Sequence, residues 1–76
     1  TANISSANLV ETLFVGANLR SAILVNSNLT GAGLMAANLE GANLKGAIME
    51  LVNSRGARFR ATTLPNGTVT PTPTWR

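Results

Sequence analysis

Few side chains in this chain could do chemistry. Glu11, Glu40, Glu50 and Lys45 are the candidates for moving a proton, and Ser54 is a candidate hydroxyl nucleophile. There is no Cys, His, Asp or Tyr. Proton transfer in catalysis needs a positioned acid or base, usually of tuned pKa, and a serine needs an adjacent base to become a nucleophile. Neither arrangement can be assembled from these residue types by sequence neighbours. The absent Cys and His also remove thiolate and imidazole metal ligands and any disulfide. No catalytic residue, no metal and no cofactor is expected.

Charge offers a second kind of chemistry. Arg55, Arg58 and Arg60 form the densest basic cluster, and the net charge of +3 comes from the C-terminal end. Residues 55–76 carry four Arg and no acid, whereas residues 1–54 carry Arg20 and Lys45 against three Glu. A basic patch is the electrostatic footprint of nucleic-acid binding. Only three arginines cluster here, with Phe59 as the sole aromatic among them. Ordinary surface charge is the preferred reading, and nucleic acid is not the expected partner. N-x-S/T triplets at Asn3, Asn28 and Asn66 are expected by accident in a chain with nine Asn and nine Thr.

The elements that must position these residues follow from a period of five. From Ala2 the chain divides into thirteen five-residue units ending at Asn66, without insertion or deletion. Position three reads Ile4, Leu9, Phe14, Leu19, Leu24, Leu29, Leu34, Leu39, Leu44, Met49, Ser54, Phe59 and Leu64, apolar in all but Ser54. Position one is small or β-branched throughout, mostly Ala. Five matches neither the helical period of 3.6 nor the strand period of 2. Within a unit, however, positions one and three are two apart, and in extended backbone they point the same way. Each unit is therefore expected to be a short extended segment with both side chains inward, followed by a bend. Bending the same way each time stacks the chain into a solenoid.

The chain resembles the pentapeptide repeat family, whose motif is Ala-(Asp/Asn)-Leu-x-x. The motif Ala-Asn-Leu stands at Ala7–Leu9, Ala17–Leu19, Ala37–Leu39 and Ala42–Leu44. The resemblance covers residues 2–66 and implies an all-β, right-handed quadrilateral parallel β-helix with four units per coil, hence about three coils. Ser54 departs from the motif at position three, and Leu13, Ile23 and Ile48 depart at position two. Four units per coil place residues twenty apart in columns such as Ile4/Leu24/Leu44/Leu64. Arg20, Glu40 and Arg60 would then form one vertical stack of alternating charge.

Residues 67–76 are read as a C-terminal tail, either a cap over the open end or a linker. Asn66-Gly67 is expected to take positive φ, Pro71 and Pro73 favour polyproline II and cannot donate to a ladder, and a docking segment bearing Trp75 is the functional alternative. A chain that enters its register at Ala2 without Met is expected to be a module of a larger protein. An uncapped end invites self-association through coil ends. Leu13, Val15 and Met35 occupy outward positions of one face, where Gly33 is expected to expose backbone, and form the candidate interaction face for an unidentified protein partner. No apolar run approaches the roughly 20 residues of a membrane span, so no membrane insertion by this segment is expected, and the cytoplasm is the default compartment. The expected role is a non-catalytic structural or protein-interaction module, of the kind the resemblance associates with cyanobacteria. The alternative is a small nucleic-acid- or topoisomerase-directed effector. The gyrase-directed members of the family mimic DNA with a strongly acidic, long dimeric rod, which this basic chain does not match.

Overall fold

The backbone path of one unit explains the rest of the molecule. The computed structural model describes residues 2–70. Position five is held at positive φ in every unit from Ser6 to Ala61, at 54–60° in seven non-glycine residues and at 68–73° where glycine stands. The first N–H of the next unit then bonds back to the carbonyl of position three, as from Ala22 to Leu19 and from Ala37 to Leu34, both at 3.0 Å. Positive φ at the third residue of such a turn is the requirement of type II. The chain thus bends after each unit, and the straight part is too short for a long strand.

Stacking is regular nonetheless. Single parallel bridges join position-two residues twenty apart: Asn3, Ile23, Asn43 and Thr63 in one column, and Asn18, Asn38 and Arg58 in another. Twenty residues are four units, so the chain returns to the same column after each layer of a repeat β-helix. Position-three N–H groups donate to the next layer, as from Leu24 to the Asn43 carbonyl (2.8 Å) and from Leu39 to that of Arg58 (2.9 Å). Position five does the same, from Asn26 to Lys45 and from Gly41 to Arg60. Position two donates the other way, from Asn38 to the carbonyl of Ala17 and from Asn43 to that of Ala22.

One donor per unit is left over, the N–H of position four, and the sequence supplies its acceptor. The side-chain Oδ1 of Asn3, Asn8, Asn18, Asn28, Asn38, Asn43 and Asn53 accepts from the N–H two residues on, at 3.0–3.3 Å. This is the Asx turn that makes Asn a turn residue. Where Leu13, Ile23, Gly33 or Ile48 takes position two, that acceptor is missing.

The core sits inside the layers. Leu24, Leu29, Leu34 and Leu39 are 0–1% exposed, and Ala22, Ala32, Ala37 and Ala42 fill the corners beside them. Each such leucine contributes about 1.5–3 kcal/mol through burial. Ile4, Leu9 and Phe14 in the first layer are only partly buried. Two buried hydroxyls replace corner alanines and bond upward: Ser27 Oγ donates to the Ile4 carbonyl (2.7 Å) and Thr62 Oγ1 to that of Leu39 (2.6 Å). Among the described residues no buried side-chain polar atom lacks a partner.

The repeat ends in a hairpin. Strand β1 (Thr62–Thr63) still stacks on the preceding layer, through Thr63 N–H to the Ala42 carbonyl. Strand β2 (Val69–Thr70) runs back antiparallel, with Thr62 opposite Thr70 and Thr63 opposite Val69. The expectation of positive φ at both Asn66 and Gly67 is corrected here: only Gly67 has it, at 87°. The bonds from Gly67 N–H to the Leu64 carbonyl and from Leu64 N–H to the Thr68 carbonyl close a turn followed by a left-handed bulge. Asn66 instead caps locally, accepting from the N–H and Oγ1 of Thr68. Pro65 takes position four, the position whose N–H would be left over, and has none to satisfy. The tail residues Pro71, Pro73, Trp75 and Arg76 lie outside the described residues.

Candidate interaction surfaces

The layers fix where each candidate residue stands. Leu13, Val15 and Met35 are 77%, 61% and 38% exposed. Val15, Met35 and Arg55 follow one another at twenty-residue spacing in one position-four column. Leu13 bridges Gly33 in the adjoining position-two column, followed by Asn53. The three apolar side chains are therefore brought to one face. Gly33 does not expose its backbone there: it is buried. A Leu13 methyl carbon lies 3.0 Å from where a Gly33 Cβ would stand, so Leu13 lies across it. The missing side chain at Gly33 is what lets Leu13 fold down the face.

Arg55, Arg58 and Arg60 are all exposed on the third layer. Phe59 between them is buried, so no aromatic surface lies among the guanidinium groups. The Arg20, Glu40 and Arg60 stack has the expected register. These residues, with Ser21, Gly41 and Ala61, line a recess of about 280 Å³. No ion pair within 4 Å joins the three charges, although the backbone places them in succession. Among the described residues no group of three or more acidic or metal-ligating side chains converges. Glu11, Glu40 and Glu50 fall in three different columns, as their spacing requires. No helix among the described residues is long and apolar enough to cross a membrane.

One surface was not anticipated from sequence. Leu51, at position five with φ of 57°, is 87% exposed. It borders a recess of about 680 Å³ lined by Met49–Arg55, on the side of the third layer where no further unit stacks among the described residues. The signal was available: thirteen units at four per layer leave only Thr62–Asn66 to cover the third layer.

These layers, with Ala or a small residue at position one, Leu at three and a left-handed residue at five, define a repeat β-helix built from five-residue units. The chain belongs to the pentapeptide repeat family, whose model matches in eight copies over residues 2–34 and 37–67. It is similar to the crystal structure of a pentapeptide repeat protein from the thylakoid lumen of Arabidopsis thaliana, with a TM-score of 0.79 and 25% identity over 83% of this chain. It is also similar to a pentapeptide repeat protein from the cyanobacterium Cyanothece 51142, with a TM-score of 0.61 and 39% identity over 74% of this chain. The matches span 43% and 42% of the lengths of those two proteins. No curated protein matches the chain in sequence.

Proposed function

We propose that this chain is a non-catalytic structural and protein-interaction module, its layers wound as right-handed square coils. The observation that carries the reading is the division of labour within the unit. Positions one and three fill the interior with apolar side chains and a few bonded hydroxyls, while the charged side chains of the described residues stand at the outward positions four, five and two. Among the described residues no group of acidic or metal-ligating side chains converges, whereas Leu13, Val15 and Met35 present apolar side chains on one face. Such a surface is the kind that binds another protein. Fold alone does not assign the role.

The test places a photo-crosslinking amino acid at Val15, with Asn8 as the control site, in cells expressing the protein. A discrete protein adduct from Val15, absent from Asn8 and abolished by Leu13→Glu in a folded variant, supports the reading. Binding to duplex DNA that weakens steeply with salt and depends on Arg55, Arg58 and Arg60 would overturn it in favour of a nucleic-acid-directed effector.

A further inference from the structure

We propose that the recess on the open side of the third layer is a docking groove for the chain's own C-terminal segment, residues 71–76, with the Trp75 indole as its anchor. Three observations point to this occupant. The first is the groove. Buried Met49, half-buried Val52 and exposed Leu51 are among its lining residues, and its volume of about 680 Å³ is ample for one indole ring.

The second is where the described chain ends. Strand β2 runs antiparallel to β1 and places Thr70 opposite Thr62, directly after the third layer closes at Ala61. The hairpin thus delivers the chain to the uncovered side of that layer. An extended segment rises about 3.1 Å per residue, so Trp75 can stand roughly 16 Å from Thr70. The Cα envelope measures 26 × 24 × 23 Å, so this reach passes the middle of the layer.

The third is complementary chemistry. In the layers above, position-three and position-five N–H groups point toward the next layer and are met by its carbonyls. At Met49 and Leu51 no further unit supplies those carbonyls. A segment carrying Pro71 and Pro73 offers carbonyl acceptors while withholding two N–H donors, so it can cover such an edge without templating another layer. Indole adds the largest apolar area available in the chain, and Arg55, one of the groove's lining residues, offers a guanidinium that can stack on it.

Trp75 is the only tryptophan, so its fluorescence reports the tail alone. In the full chain the emission is expected to lie to the blue of that in denaturant, with acrylamide quenching several-fold weaker. Leu51→Asp, at an exposed site whose left-handed backbone suits Asp, should shift the emission toward the denatured value while far-UV circular dichroism is unchanged. Trp75→Ala should lower the melting temperature. Native emission and quenching equal to those in denaturant would overturn the proposal. So would a blue shift indifferent to Leu51→Asp, which would place the indole elsewhere, or one lost on dilution, which would assign the groove to the tail of a second copy.

Discussion

The left-handed residue at position five allows a test in which almost nothing but backbone strain changes. Ala36 has a φ of 58° and is exposed, and it stands in a column between Gly16 and Gly56. An L-residue in this region costs about 1–2 kcal/mol. Glycine removes that strain but loses about 0.5–1 kcal/mol more to chain entropy on folding. Ala36→Gly should therefore stabilise by about 0.5–1 kcal/mol. Gly56→Ala is the mirror experiment. A Cβ there would stand 3.7 Å from the Ala36 nitrogen, an ordinary contact, so the loss should be of similar size. At Gly46 the same methyl would run into the Asn26 amide oxygen. That oxygen ends an exposed side chain, which can turn aside, so Gly46→Ala should lose about as much as Gly56→Ala. Thermal denaturation resolves these effects, since 1 kcal/mol moves the melting temperature of a domain this size by about 4–8 °C. A destabilised Ala36→Gly, or a Gly56→Ala that loses nothing, would refute the reasoning.

Further outcomes are expected at other positions of the unit. Leu39→Ala, in the fully buried middle layer, should lose about 2–5 kcal/mol, close to the whole stability of a small domain, as read by urea denaturation. Asn38→Ala removes the acceptor of the Glu40 N–H and should lose about 1 kcal/mol, with faster amide exchange at Glu40. Ser54→Leu restores the inward apolar pattern of position three. Its gain of about 1.5–3 kcal/mol on burial exceeds the roughly 1 kcal/mol of a lost hydroxyl bond, so the melting temperature should rise. Glu40→Gln should change stability by less than about 0.5 kcal/mol at any ionic strength, because no ion pair forms in the Arg20/Glu40/Arg60 stack; a large, salt-sensitive loss would show that the pairs form in solution.

The inward columns were legible in the sequence because hydrophobic burial acts on side chains, and the period of position three states it directly. Every bridge from Asn3 to Thr63 obeys the twenty-residue spacing read from the repeat. The turns were less legible, because Asn at position two looked merely polar and outward. Its work is local, an oxygen satisfying the N–H two residues on, and only an accounting of backbone donors brings it out. Position five hid its left-handed geometry behind Ser6, Glu11, Ala36 and Leu51, which lack the glycine signal. At Gly33 the sequence showed an absent side chain and therefore a gap. The structure fills it with Leu13 from the layer above, a neighbour twenty residues away that local reading does not see. The positions of Leu13, Val15 and Met35 were legible in the repeat, whereas the recess beside Leu51 depended on where the stack stops.

The left-handed residue recurring at every fifth position also sets a grammar for changes in length. One inserted residue would carry a core leucine into a turn and place a non-turn residue at positive φ, in that unit and in every unit after it. Five inserted residues would restore the turns but move all later side chains into the next column, so that Leu34 would no longer lie above Ser54 nor Asn38 above Arg58. Only a block of twenty leaves both the turns and the columns intact. A molecule of this design can lengthen by duplicating whole layers, each adding about 4.8 Å, whereas small insertions are tolerated only past its last turn, in the hairpin and beyond.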